Sequence, residues 1–195
     1  MRNMAEQPQR FQAAIQQFDA ANSQDPTKID GVAAEVLYAR RMSQCLSRLC
    51  PDASEALQLA ARSQHIRRWS IPRSSYPMDR AGYHRWRTEL YSFHADTAAR
   101  ILKEVGYDEA TIARVRALLR KERLKSDRET QALEDVACLV FLEYYFADFA
   151  AKHDEQKVIQ ILQRTWKKMS ARAQTAALEL PLAPEARRLI ERALS

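Results

Sequence analysis

Four positions place acid–base or metal-binding side chains where helical periodicity turns inward. Glu35 lies within AAEVLYARRM and His65 closes the run LQLAARSQH. His94 follows Leu90 by four residues, and Glu134-Asp135 opens the apolar stretch VACLVFL. A carboxylate buried without a partner is costly, so such groups are paired, hydrogen-bonded or bound to metal. Imidazoles and carboxylates projected from separate helices into a bundle core are one way of holding a divalent ion. Each residue also has a plainer reading. His94 suits a hydrogen-bonded core histidine, and His65 a partner for a helix end or for Asp135. Glu35 can pair with Arg40 or Arg41, and Asp135 with an arginine.

The second chemical signal is cationic. Residues 62–88 hold seven arginines, no lysine and one acid, Asp79. That segment carries a charge equal to the net +6 of the whole chain. Arginine offers a rigid fork of donors matched to phosphate or carboxylate, whereas lysine is a point charge. Arg67, Arg68 and Arg73, interleaved with Trp69 and Tyr76, therefore read as a grip for a phosphate-bearing ligand. The competing reading is a solvated face with structural ion pairs. Arg67 and Arg68 are adjacent and cannot share a helix face, so at most one points at His65. A second basic run, RVRALLRKERLKSDR, reads as an exposed helix face.

These residues need helices to position them. With 3 glycines and 7 prolines in 195 residues, turn material is too scarce for a sandwich or barrel. No strand alternation or internal repeat is visible, and no apolar run reaches the roughly 18 residues of a membrane span. The pattern predicts one all-α domain over 1–195, a bundle of seven to eight helices. The first covers 8–22 and the last cover about 154–194. Asp52, Asp79, Asp108 and Asp154 stand as N-caps, and Gly106 as a helix stop. The sixth helix, apolar all round from Val136 to Leu142, belongs at the centre. Three unpaired-looking cysteines, Cys45, Cys50 and Cys138, and the lack of an apolar leader predict a cytoplasmic protein. A KMS string at 168–170 is shared with aminoacyl-tRNA synthetases, but a chain without strands cannot build the nucleotide-binding sheet that motif serves.

The order along the chain, an early candidate ligand, LQLAARSQHIRRW, a helical hairpin, then LEDVACLVFLEYY, resembles the HD superfamily of metal-dependent phosphohydrolases over about 32–149. That resemblance implies an HD-like bundle and a metal site altered from the family pattern. The His-Asp doublet reads Gln64-His65 here, and only Glu35 stands near the position of the first histidine. The implied ligands are Glu35, His65 and Asp135, with His94 and Glu134 as additions. Mixed oxygen and nitrogen donors suit manganese, iron or zinc. The implied activity is hydrolysis of a nucleotide or other phosphate ester, with Arg67, Arg68, Arg73 and Tyr76 binding substrate. The alternative is a non-catalytic module that holds RNA or a protein. RFQAAIQQFDAANSQDP, QHIRRWSIPRSSYP and LEDVACLVFLEYY resemble more closely an uncharacterised domain family of bacteria and fungi, which implies no reaction.

Overall fold

The computed structural model describes residues 6–194; residues 1–5 and Ser195, the ends of the expected 1–195 domain, lie outside them. Ten α-helices follow in order: α1 (Glu6–Asn22), α2 (Ala34–Leu49), α3 (Glu55–Ser63), α4 (Arg80–Glu104), α5 (Glu109–Leu119), α6 (Arg128–Tyr144), α7 (Phe146–Ala151), α8 (Glu155–Trp166), α9 (Ala171–Leu178) and α10 (Pro184–Leu194). Two 3-10 turns, Arg68–Ser70 and Arg73–Ser75, bridge α3 to α4. The fold is all-α, as the glycine scarcity predicts, but it has more helices than seven or eight. The sixth expected helix breaks at Tyr145 to release α7, and Ser170 starts the separate helix α9.

Side-chain caps set most of the starts. Ser54, Asp79, Asp108, Asp127, Asp154 and Ser170 each accept a bond from a backbone N–H in the first turn of the helix they precede. Ser54, not Asp52, caps α3. α2 has no such cap of its own. It is entered from a two-residue hairpin, β1 (Lys28–Ile29) and β2 (Val32–Ala33), with Lys28 opposite Ala33. Asp30 and Gly31, both at positive φ, make the turn. Strands this short carry no readable alternation, which is why 24–30 reads as plain loop.

α2 packs on α3 and α6, α4 on α5, and α3 on α5, while α1 lies over α3. α6 is the axis: Leu133, Val136, Leu139, Val140 and Leu142 are buried. Ala137 and Phe141 on the same helix are only half buried. That face opens onto the cavity described below. Among the described residues no helix is long and apolar enough to cross a membrane.

Asp127 ties the start of α6 to α5. It accepts from the N–H groups of Glu129 and Thr130 and pairs with Arg114 at 2.5 Å. The Arg114 bond holds its carboxyl well below the usual range. Asp127→Ala is expected to cost about 1–2 kcal/mol at neutral pH. A depressed pKa stabilises above the unfolded value and is lost on acidification, so the gap from wild type should narrow below about pH 4. Denaturant unfolding of both proteins across pH measures it.

Candidate functional site

A cavity of about 510 Å³ opens between α2, α4, α6 and the segment after α3. α2 contributes Glu35 and Tyr38, one turn apart. The end of α3 contributes Gln64 and His65, and the first 3-10 turn Arg68. α4 lines one wall with Tyr83, Trp86, Arg87, Leu90, Tyr91 and His94, spaced at three and four residues. α6 adds Glu134, Ala137 and Phe141, and Lys121 and Tyr145 complete the rim.

The backbone places Glu35 and His65 through two side chains of the α1–α2 connection. Asp25 accepts from the N–H of Thr27 at 2.9 Å and of Glu35 at 3.1 Å, acting as a remote cap for α2. Asn22 accepts from the N–H of Arg67 at 2.9 Å and donates to the carbonyl of Glu35 at 3.4 Å. Arg67 sits at φ +52 in the left-handed region, which turns the chain so that Arg68 enters the cavity. The expectation that only one of this pair points at His65 fits that placement.

His65 Nδ1 stands 3.7 Å from Glu35 Oε2, too long for a hydrogen bond, and its ring stacks on Tyr38 at 4.0 Å between centroids. His94 Nδ1 lies 2.9 Å from the carbonyl oxygen of Ile66. A carbonyl only accepts, so Nδ1 carries the proton and Nε2 presents a lone pair. Burial lowers both histidines, His94 to about 4 and His65 well below its usual value with help from Arg68, so both are neutral. Burial lifts Glu35 to about 7, against the opposing pull of Arg68. Glu35 Oε2, Gln64 Oε1 and His94 Nε2 are buried with no hydrogen-bond partner.

The cations are seated on aromatic faces. Arg68 lies over Trp86 at 4.9 Å, Arg87 over Tyr91 at 5.4 Å and Lys121 over Tyr91 at 5.6 Å. Arg87 also donates to the Tyr91 hydroxyl. Lys121 pairs with Glu134, which Lys168 approaches at 3.7 Å. Burial pushes Glu134 up, but the two lysines hold it below its usual range.

The expected metal ligands do not converge. Glu35, His65, His94 and Glu134 line the cavity, but Asp135, next along α6, lines a different one. Its carboxylate accepts from the Ser170 N–H at 2.8 Å, the Ser170 hydroxyl at 2.6 Å and Gln131 at 2.8 Å. It anchors the start of α9. Glu134 is committed to lysines. Among the described residues no three His, Cys, Asp or Glu side chains group to hold a metal. Of the expected phosphate ligands, Arg68 lines the cavity and Arg67, Arg73 and Tyr76 do not. Arg73 bonds to the carbonyl oxygens of Tyr76 and Asp79 and so staples its own loop. Arg62, from the same cluster, forms a two-bond pair with Asp19.

Gln64, Arg87 and Lys121 line the cavity beyond the residues expected from the sequence. Lys121 belongs to the basic run expected to be an exposed helix face, but it turns in from a helix end and its side chain is largely buried against Glu134.

Fold and cavity together define an all-α domain with a cavity lined by three cations and by residues bearing buried, unpartnered acceptor atoms. Residues 12–190 match the family described as "Domain of unknown function (DUF4202)", and the chain belongs to that family. No curated protein and no solved structure matches it.

Glu35 generates a stability prediction. Its pKa is raised, so the neutral carboxyl is stable in the fold at low pH and a penalty grows as pH rises through about 7. Glu35→Gln, isosteric and neutral, should gain roughly 2–3 kcal/mol on wild type between about pH 5 and pH 8. Unfolding free energies of the two proteins at both pH values check this, and a constant difference would refute it.

Proposed function

We propose that this protein binds a nucleotide or a closely related phosphate ester in the cavity and hydrolyses it. Arg68, Arg87 and Lys121 grip the phosphate and offset charge developing in the transition state. One observation carries the reading: these three cations line the same cavity as the buried, unpartnered acceptors of Glu35, Gln64 and His94. Unsatisfied buried groups are rare, and a ligand satisfies them. The volume and the mixture of aromatic walls with a few polar groups suit a ligand of nucleotide size.

Glu35 is the general base of this reading. Water's oxygen bonds to phosphorus, the ester P–O bond breaks, water's proton passes to Glu35, and the leaving oxygen takes a proton from solvent. A base titrating near neutrality is matched to that task. A manganese-, iron- or zinc-centred version is not adopted, because Asp135 and Glu134 spend their oxygens on Ser170, Gln131 and the two lysines.

The experiment is a panel of nucleoside monophosphates assayed for binding and for phosphate release. Arg68→Ala should weaken binding about tenfold or more, because a charge-assisted grip is lost. Arg85→Ala, an exposed arginine of the same segment, should change nothing. Glu35→Gln should lower turnover on the order of 100-fold while keeping binding. Turnover by wild type should rise with pH and level off above about 7. Binding without turnover would instead favour the module reading. Steeply salt-dependent RNA binding, weakened equally by both arginine changes, would place the ligand on a diffuse surface and overturn the proposal.

A further inference from the structure

The unpartnered atoms of the cavity share one property. His94 Nε2 is an acceptor by tautomer, since Nδ1 gives its proton to the Ile66 carbonyl. Glu35 offers at least one acceptor oxygen whether or not it carries a proton, and His65 Nδ1 stands 3.7 Å from its Oε2. Gln64 adds an amide that can turn either end toward a ligand. All three residues line the cavity and their named atoms lack partners. The other buried unpartnered atoms among the described residues are the Nε atoms of four arginines and the Thr130 hydroxyl. The acceptors are therefore gathered in one place, and the cavity supplies no donor to them.

A ligand filling that place must bring hydrogen-bond donors. Arg68, Arg87 and Lys121 line the same cavity, so an uncharged donor fits it better than an ammonium or guanidinium, and a neutral amine is one such donor. We propose that the ligand is a nucleotide whose base carries an exocyclic amino group, read by His94 Nε2, with Gln64 adapting to the neighbouring ring atom and Glu35 left to the phosphate end. This deepens the nucleotide reading above and rests on it. A neutral amine has two N–H donors in a plane, and a keto group at the same ring position offers lone pairs to the lone pair of His94. The carbonyl analogue would leave His94 unpaired and face it with repulsion. Loss of a designed hydrogen-bond partner discriminates far more strongly than a change of size.

The test compares ligands on the wild-type protein by calorimetry. Adenosine monophosphate should bind about tenfold or more tightly than inosine monophosphate, which replaces the amine by a carbonyl and turns the adjacent ring nitrogen from acceptor to N–H donor, a change the Gln64 amide can follow by turning. Cytidine and uridine monophosphates should divide in the same sense. His94→Asn keeps a donor for the Ile66 carbonyl and removes the Nε2 acceptor. It should erase the amine preference, with adenosine monophosphate losing affinity and inosine monophosphate gaining some as the lone-pair repulsion is removed. Equal affinity for amino and keto nucleotides would overturn this inference and leave the nucleotide reading standing. Ribose 5-phosphate binding as tightly as adenosine monophosphate would also overturn it, since hydroxyls would then be the donors. If none of these phosphates binds, both the nucleotide reading and this inference fall.

Discussion

The side chain of Asn22 holds the site together. It ends α1, lies 1 % exposed, and spends its amide on two backbone groups from separate parts of the chain: the N–H of Arg67 and the carbonyl of Glu35. A buried amide left unpaired costs on the order of 1–3 kcal/mol, so the three segments are fixed together or not at all. Asp25 completes the arrangement by supplying α2 with the cap its own sequence lacks. Through these contacts the first connection of the chain ties the start of α2, which carries Glu35, to the segment that follows His65. Arg67 carries the backbone strain of the turn that brings Arg68 inward.

The cations impose the next constraint. Three positive groups in one cavity repel each other unless each has a compensating partner. Arg68 and Arg87 use ring faces, and Lys121 uses Glu134 together with the Tyr91 face. Lys121 occupies the left-handed position that ends α5. The N–H of Lys121 bonds to the Leu118 carbonyl and that of Glu122 to the Ala117 carbonyl. Glycine is the usual residue in that geometry, and lysine there is strained. The strain is offset where the ammonium meets Glu134. The same positive environment, with burial, keeps His65 and His94 neutral and therefore able to accept.

Much of this was legible in the sequence, and the limits have physical causes. Helical periodicity and glycine scarcity establish the all-α class, and the apolar run of α6 marks the axis. Four of the five candidate ligands, Glu35, His65, His94 and Glu134, do share a cavity. Asp135 does not, because adjacent residues on a helix point about 100° apart. Burial alone cannot say which of Glu134 and Asp135 faces which neighbour. The KMS string proved structural in a different sense: its serine caps α9 and binds Asp135. Of the arginines named from sequence, Arg68 lines the cavity, turned there by the backbone conformation of Arg67, whereas Arg73 bonds to carbonyl groups of its own loop; Arg62, of the same segment, pairs with Asp19. Lys121 and Asn22 act from helix ends through tertiary contacts, and no local pattern announces either.

A phosphate-bearing ligand bound in the Glu35, His65 and His94 cavity, as proposed, would be sensed most directly by the histidines. The chain has 4 histidines, two of them lining the cavity and two, His84 and His153, outside it. Nitrogen-15 spectra of histidine-labelled protein, recorded while adenosine monophosphate is added, report on all four at once. Binding in the cavity gives saturable shifts at His65 and His94, the largest at His94 Nε2, with His84 and His153 unmoved. Shifts confined to His84 or His153, or no saturable shift at either cavity histidine, would refute binding there.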